Sequence, residues 1–137
     1  MTAPGTGEAA RRRALGRAGE TAAADFLRRH GFDVVARNYH TPHGELDLVV
    51  AREGTVIFVE VKTGEAAATV DPRTQFTPRK VTRLYRAALD YWERERPGEE
   101  PNLRFDFVAV VRRGDGFAVE HYEAVALDDY LPADFEW

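Results

Sequence analysis

The feature that most constrains the fold is a pair of apolar segments joined by a three-residue turn. The segment ELDLVVA covers residues 45–51, the turn Arg-Glu-Gly covers residues 52–54, and the segment TVIFVEVK covers residues 55–62. Both segments are rich in β-branched residues, and a short turn ending in glycine is typical of a β-hairpin. We therefore predict two antiparallel strands. Their nearly continuous apolar character indicates central strands that helices cover on both faces.

Charged residues interrupt both of these strands. Glu45 and Asp47 lie in the first strand, and Glu60 and Lys62 lie in the second. Because side chains at i and i+2 share one face of a strand, each pair should point to one side of the sheet. Counting outward from the turn brings Asp47 roughly opposite Glu60 or Val61. We therefore expect two or three carboxylates and a lysine to converge at one edge of the sheet.

Such a cluster has a definite chemical use. Carboxylates that face each other repel, and a divalent cation removes that repulsion. Hard oxygen ligands without cysteine or histidine favour Mg²⁺ or Mn²⁺, which would polarise a phosphodiester and lower the pKa of a bound water. Lys62 could orient that water or neutralise the charge that develops on phosphorus. The alternative is a strand end that emerges into solvent, where Glu60 and Lys62 form an exposed ion pair.

The composition excludes several other kinds of chemistry. The 137 residues include no cysteine and no serine, which rules out disulfides, thiolate nucleophiles and serine hydrolases. The sequence also lacks the glycine-rich GxxxxGK[ST] and GxGxxG loops that bind nucleotide phosphates. With 44% hydrophobic and 31% charged residues, the chain is expected to form one domain over residues 1–137, with flexible tails at 1–10 and 132–137.

The remaining elements follow from periodicity and turn residues. We predict a helix from about Arg11 to His30, a strand at 32–39, a mobile loop at 64–76, a second long helix from Pro78 to about Arg96 with Thr77 as its N-cap, and strands at 103–112 and 117–123. The predicted fold is therefore α/β, with a central mixed β-sheet flanked by helices in the order α-β-β-β-α-β-β.

The charge along the chain is uneven. Through Arg86 there are 14 basic against 10 acidic residues, and after it 5 against 13, which gives the chain its net charge of −4. No apolar run reaches the ~20 residues of a membrane helix, and the N-terminus lacks the apolar centre of a secretory signal. We therefore expect a cytoplasmic protein that does not bind membranes.

Basic residues of the second long helix are candidates for nucleic-acid contact. The candidates are Arg79, Lys80, Arg83 and Arg86; Arg94 lies on the same face, and the run Arg11–Arg13 adds basic charge elsewhere. The alternative is a solvated helix face. Lys62 and Lys80 are the only lysines in a chain that otherwise uses arginine, which indicates that a compact ammonium is needed there. Lys80 could face the site or extend to solvent along the apolar side of its helix.

Three other polar features leave their interpretation open. His40, His43 and Glu45 have the spacing of a weak zinc motif, but a role as turn residues is the better interpretation. Asp106 is an acid in an apolar strand, where it could support the metal ligands or be satisfied within the core. Glu20 flanks the apolar stripe of the first helix, as either a solvated charge or a ligand.

Three short motifs together resemble a known superfamily. These are GE at Gly19 and Glu20, GELD at residues 44–47 and FVEVK at residues 58–62, and they resemble the PD-(D/E)XK, or restriction-endonuclease-like, nucleases. From about Gly16 to Val111 the sequence more closely resembles the YraN-type family of bacterial proteins, which is similar to Holliday-junction resolvases of that superfamily.

The resemblance implies a restriction-endonuclease-like fold and assigns roles to four residues. Asp47 and Glu60 would be metal ligands, Lys62 the catalytic lysine and Glu20 an accessory acid. The superfamily pattern has proline before the aspartate, whereas Leu46 stands there in this chain.

Two functions are consistent with these observations. The first is an Mg²⁺- or Mn²⁺-dependent endonuclease that hydrolyses phosphodiester bonds in DNA, rather than RNA, with branched or repair intermediates as expected substrates. A homodimer would suit branched DNA. The second is a non-catalytic module on the same fold that binds nucleic acid or protein. The presence of Asp47, Glu60 and Lys62 favours the enzyme, and the net charge of −4 favours the module.

Overall fold

A computed structural model of the chain describes residues 6–65 and 72–136. The elements in chain order are α1 (Thr6–Arg29), β1 (Asp33–Thr41), β2 (Gly44–Arg52), β3 (Thr55–Gly64), α2 (Pro72–Gln75), α3 (Pro78–Glu95), β4 (Phe105–Arg113), β5 (Gly116–Tyr122) and a 3-10 turn (Leu127–Tyr130). With the short α2 as an addition, this confirms the predicted order α-β-β-β-α-β-β.

The five strands form one mixed sheet in the order β1-β2-β3-β4-β5. Neighbouring strands are antiparallel except for β3 and β4, which run parallel. A parallel pair requires a long crossover connection, and the segment that contains α3 supplies it. The predicted mixed sheet and the predicted hairpin between β2 and β3 are therefore confirmed.

The long helices cover opposite faces of this sheet. Ala23, Ala24 and Leu27 of α1 pack against one face, which includes Leu48 and Val59. The apolar side of α3 packs against the other face in a cluster rich in aromatic residues, among them Phe58, Phe105, Phe107, Tyr85 and Trp92. Because both faces are covered, the central strands are apolar along nearly their whole length.

The start of α3 matches the sequence prediction. The Thr77 side chain accepts a hydrogen bond from the Lys80 backbone N–H at 3.2 Å, and Pro78 occupies the first helical turn. A capping threonine satisfies a donor that would otherwise lack a partner, and proline has no donor to lose there. This cap fixes where α3 begins and therefore where Lys80 lies relative to the sheet.

Other boundaries differ from the prediction. Helix α1 begins at Thr6 rather than near Arg11, so much of the segment expected as an N-terminal tail is helical. The predicted loop at 64–76 contains α2, and Phe76 is buried in the core, so an apolar side chain anchors its end. Residues 66–71 of that loop lie outside the described residues. In the expected C-terminal tail, Phe135 packs against the core.

Within the described residues, no helix combines the length and the apolar character required to cross a membrane.

Candidate active site

The candidate site lies where β2 separates from β3. The hairpin pairing between these strands runs from Arg52 and Thr55 to Leu48 and Val59. Beyond it, Asp47 Oδ2 accepts the backbone N–H of Val61 at 2.9 Å, so a side-chain carboxylate replaces the strand carbonyl.

The register of this hairpin also places Asp47 beside Glu60. The predicted juxtaposition of these two acids is therefore confirmed.

The electrostatic environment of Asp47 disfavours its charge. Burial, followed by the negative charge of Glu60, raises the pKa of Asp47 from 3.8 to about 8. Glu20 adds a smaller effect in the same direction, and the bond from the Val61 N–H opposes it without offsetting it. A carboxylate with this pKa either retains a proton at neutral pH or requires a cation nearby.

Glu60 has a cationic neighbour from the opposite helix. The Lys80 Nζ lies 3.3 Å from Glu60 Oε1, and the two side chains are 24% and 18% exposed. The same Nζ lies 5.6 Å from the centroid of the Phe76 ring, which restricts where the ammonium can go. Of the two alternatives open for Lys80, the structure therefore supports the one in which it faces the site.

Glu20 reaches the cluster with the help of a residue that the sequence did not single out. The Asn38 Nδ2 donates a hydrogen bond to Glu20 Oε2 at 2.7 Å. Asn38 has a φ of 49°, in the left-handed region that asparagine tolerates better than most residues. It lies in β1 between two residues that pair with Leu48 and Leu46, and therefore opposite Asp47. In the sequence, the polar asparagine within the strand segment VVARNYHT is the one feature that could have indicated this role of Asn38.

The third carboxylate near Asp47 is Glu20 and not Glu45, which corrects the expectation that alternation would place Glu45 there. Glu45 is exposed, and its Oε2 lies 3.4 Å from His40 Nδ1. The alternation fails because β2 is irregular at this point: Leu46 packs on the α3 side of the sheet, whereas Leu48 packs on the α1 side. In a regular strand those two leucines would share a face.

The two turn histidines do not gather around a common ligand position. His40 is near Glu45, whereas His43 Nδ1 lies 2.7 Å from Asp90 Oδ2 on α3. The preferred interpretation of these residues as parts of a turn agrees with this arrangement.

Gly19 allows α1 to approach the end of β3. A Cβ at Gly19 would lie 1.9 Å from Thr63 Oγ1 and 2.7 Å from Thr63 Cγ2. No real side chain tolerates such distances, so glycine is required for this contact. The next residue along the helix is Glu20, and the close approach therefore sets how near its carboxylate comes to Asp47.

Lys62 lies on the open side of the cluster. It is exposed and lines an open cleft of about 290 Å³ whose other lining residues are Arg12, Leu15, Gly16, Glu20, Val61 and Thr63. The site therefore combines a partly buried set of carboxylates with a lysine that solvent or a ligand can reach.

The cations of α3 have different surroundings. Arg79 and Arg83 are both exposed, and the Arg83 side chain also packs over Gly44, where an added Cβ would lie 3.0 Å from Arg83 Cγ. The Arg86 guanidinium lies 4.6 Å from the centroid of the Phe135 ring. Of the four residues expected to contact nucleic acid, Arg79 and Arg83 are therefore exposed, whereas Lys80 and Arg86 contact other side chains of the protein.

Asp106 belongs to a separate cluster at the start of β4, where it pairs with Val59 of β3. Its side chain is fully buried and accepts hydrogen bonds from Arg104 Nε at 3.0 Å, Arg104 Nη2 at 3.2 Å, His121 Nε2 at 2.7 Å and the Ala124 N–H at 2.9 Å. Burial raises the pKa of Asp106, but the bonds from His121, Arg104 and Ala124 outweigh it, so the pKa is lowered. Asp106 is thus satisfied within the core, which resolves the alternative left open by the sequence.

This second cluster also contains a combination of residue types that can bind metal. Ligand atoms of Asp106, His121 and Glu123 all lie within 4.8 Å of one another. However, the Arg104 guanidinium already neutralises Asp106 and lies 3.5 Å from Glu123. The partners of Asp106 come from the loop before β4, from β5 and from the segment after β5, and the apolar pattern of β4 alone could not identify them.

Comparisons with known proteins agree with the predicted family. A family model described as "Uncharacterised protein family UPF0102" matches residues 19–110. A UPF0102 protein of Syntrophomonas wolfei is 38% identical over 109 residues, covering 80% of this chain and 94% of its own. One of Syntrophotalea carbinolica is 43% identical over 111 residues, covering 81% and 89%. The resemblance to the YraN-type family is thereby confirmed.

One solved structure, "The structure of Pyrococcus Furiosus SfsA in complex with Ca2+", is distantly similar. It is 15% identical with a TM-score of 0.38, and the match covers 82% of this chain and 63% of that one. A likeness at this level carries no argument about function.

Proposed function

The chain belongs to the UPF0102 family, and we propose that it is a metal-dependent endonuclease that hydrolyses phosphodiester bonds in DNA, with branched or repair intermediates as substrates. The observation that carries this proposal is the convergence of Asp47, Glu60 and Glu20 from three elements, where burial, followed by the negative charges of Glu60 and Glu20, raises the pKa of Asp47 to about 8. The element order and the position of Lys62 beside this cluster support the resemblance to the PD-(D/E)XK nucleases as a guide to the reaction.

The donor set of the cluster fits Mg²⁺ or Mn²⁺. The three acids offer only hard oxygen ligands, and their mutual repulsion disfavours the ionised state of Asp47. Asp47 and Glu60 would hold the ion, because they are neighbours at the point where β2 and β3 separate. When bound, the ion would act as a Lewis acid on the phosphodiester and lower the pKa of a water.

The side chains of this chain would perform the remaining tasks. Lys62, exposed in the cleft, would orient the attacking water and stabilise negative charge that develops on the phosphate. Glu20, held by the bond from Asn38, would accept a hydrogen bond from water at the site. The Val61 N–H holds one oxygen of Asp47, which fixes the orientation of that carboxylate. Lys80 would compensate the charge of Glu60 while the metal is absent.

The test is a cleavage assay on duplex, single-stranded, flap and four-way-junction DNA and on RNA, with Mg²⁺ or Mn²⁺. Lys62→Ala should leave folding and metal binding intact but lower the rate on the order of 10²-fold or more. Lys62→Arg should also lower the rate of cleavage, because a planar guanidinium does not replace a compact ammonium beside a water. Arg113→Ala, at the exposed end of β4, is a matched control that should cleave like the wild type.

Two outcomes would contradict the proposal. Cleavage that persists in both Lys62 variants would mean that another site or a contaminant is responsible. Nucleic-acid binding without cleavage of any substrate would instead support the second candidate function, a non-catalytic binding module. The ion pair between Lys80 and Glu60 favours that candidate, because it already neutralises one of the proposed metal ligands.

A further inference from the structure

The N-terminal half of α1 continues the stripe with which this helix packs on the sheet. Gly19, Ala23 and Leu27 are buried and recur every four residues. One to two turns before Gly19, the same stripe reaches Gly16 and Arg12. These two residues are not buried but line the open cleft beside the candidate site. The packing face of α1 therefore becomes a cleft wall toward its N-terminus.

This part of α1 carries positive charge without any acid. Residues 9–19 include four arginines and no aspartate or glutamate. The four are Arg11, Arg12, Arg13 and Arg17, and all are exposed. Within residues 6–65 and 72–136, none of them forms an ion pair. The positive charge on this segment is therefore left for a ligand.

Three cations of α3 are less available than these arginines, although Arg79 and Arg83 of the same helix are exposed as well. Lys80 pairs with Glu60, Arg86 lies over the Phe135 ring and Arg94 lies over the Tyr39 ring. Binding an anion at those positions would require the side chains to leave contacts that they already make. The comparison favours α1, with four exposed arginines in residues 9–19, over α3, where two exposed arginines lack such a contact, as the main anion-binding helix.

The dimensions of the cleft suit a strand of nucleic acid. Arg12 and Glu20 are eight residues apart, which corresponds to ~12 Å along a helix. This length equals the rise of about three to four nucleotides at ~3.4 Å each. The cleft, at about 290 Å³, is lined at its middle by Gly16, whose Cβ position has no heavy atom within 4 Å. A backbone could therefore pass close to the helix between Arg12 and Lys62.

We propose that the cleft face of α1, with Arg12 and Gly16, forms together with Lys62 a groove for the phosphodiester backbone that leads away from the candidate active site. The inference rests on the proposed function for the class of ligand, and it adds the side of the molecule on which that ligand binds. Guanidinium groups pair with phosphate oxygens in a bidentate manner, which suits a run of unpaired arginines.

The test compares one added charge at two positions of the same helix. Gly16→Glu places a carboxylate in the cleft, whereas Ala14→Glu places it two residues away, about 200° round the helix on an exposed face. Both variants have the same net charge. Affinity for labelled single-stranded and four-way-junction DNA is measured by fluorescence anisotropy without divalent metal, so that cleavage does not interfere.

We expect Gly16→Glu to weaken DNA binding on the order of 10-fold and Ala14→Glu to change it only about 2-fold. The melting temperature of Gly16→Glu should be no lower than that of Ala14→Glu, because glutamate is a better helix former than glycine and a poorer one than alanine. Arg12→Ala should also reduce the dependence of log K on log salt by ~0.7–0.9, the loss of one phosphate contact. Arg29→Ala, at the far end of α1, is the control for that variant.

The outcomes separate this inference from the proposed function. If the wild type binds DNA but cleaves nothing, and Gly16→Glu weakens binding selectively, the nuclease proposal fails while the groove stands. If the wild type cleaves DNA and the two glutamate variants bind alike, the groove is wrong while the nuclease stands. Two results would overturn the groove. One is that the wild type binds none of the DNA substrates. The other is that Gly16→Glu weakens the binding of an acidic protein but not the binding of DNA.

Discussion

Two aspartates inside the same sheet have opposite electrostatic environments. Asp106 is fully buried, and three neighbours, Arg104, His121 and the Ala124 N–H, donate hydrogen bonds to it. Asp47 accepts one backbone N–H and faces two other carboxylates. As a result the pKa of Asp106 is lowered, despite burial that raises it, whereas burial and the charge of Glu60 raise the pKa of Asp47 to about 8.

These opposite pKa shifts show that the partners of a buried acid, more than its burial, indicate its role. At Asp106 the protein itself supplies the compensating cation, so the charge contributes to the stability of the fold. At Asp47 the described neighbours leave a deficit of positive charge that an external cation can fill. The comparison therefore separates a structural acid from a candidate functional one, and it can be tested by neutralising each in turn.

The largest expected effect is on folding stability when each aspartate becomes asparagine. Asp106→Asn removes the buried anion that Arg104 and His121 contact. The free energy of unfolding should therefore fall by about 3 kcal/mol. Asp47→Asn removes a carboxylate that its neighbours repel, so the metal-free protein should be as stable as the wild type or more stable at pH 7. Urea denaturation of both variants measures the two changes.

The comparison would fail if the two variants lost similar stability. A loss of several kcal/mol in Asp47→Asn would mean that the bond from Asp47 to the Val61 N–H stabilises the fold more than the repulsion costs. If the free energy of unfolding of Asp106→Asn equalled that of the wild type, solvent would hydrate Arg104 and His121 when their partner is neutral.

The next effect concerns the pH dependence of the metal-free protein. The pKa of Asp47 is about 8 in the folded state against an ordinary value of 3.8, so between these limits the folded state binds more protons than the unfolded state. The free energy of unfolding should therefore fall as pH rises from about 4 to 8. Relative to the wild type, Asp47→Asn should gain on the order of 2 kcal/mol between pH 5 and pH 8, after allowance for partial exposure.

Unfolding curves at pH 5, 6.5 and 8 in the presence of a chelator measure this gain. If the wild type and Asp47→Asn keep a constant difference across these pH values, Asp47 does not titrate in this range and the proposed deficit of positive charge is absent.

The opposite sign applies to Asp106 at acid pH. Because its folded-state pKa lies below the unfolded value, its contribution to stability is present above about pH 4 and is lost as pH falls through the folded-state pKa. Between pH 5 and pH 2.5 the wild type should therefore lose more of its free energy of unfolding than Asp106→Asn does. A steeper loss in the variant would show that other acids dominate acid unfolding.

The sequence predicted the Asp47 site better than the Asp106 site for a physical reason. A three-residue turn fixes the register between β2 and β3, so counting residues outward from the turn predicted that Asp47 and Glu60 lie close together. Asp106 takes its partners from segments outside β4, and no local pattern specifies which they are. The irregularity of β2 opposite Asn38 could not be predicted from the sequence either. Because of it, Glu20 rather than Glu45 is the third acid of the cluster.

The smallest expected effect sharpens the comparison by removing the cation nearest to the Asp47 cluster. Lys80 pairs with Glu60 at 3.3 Å and is therefore a partial counterpart of Arg104. Because both side chains are partly exposed, Lys80→Met should lower the free energy of unfolding by less than ~1 kcal/mol.

For the same variant we expect tighter Mn²⁺ binding. The wild type should bind Mn²⁺ weakly, with a Kd from high micromolar to millimolar, because few protein oxygens are available. In Lys80→Met the ion no longer competes with an ammonium for Glu60, so calorimetry should give a Kd several-fold lower, on the order of 3-fold to 10-fold. Arg79→Met, one residue earlier and exposed, should leave the Kd unchanged. If Lys80→Met instead binds Mn²⁺ more weakly, then Lys80 holds Glu60 in its binding orientation, and the cluster is organised by its lysine much as the Asp106 cluster is by Arg104.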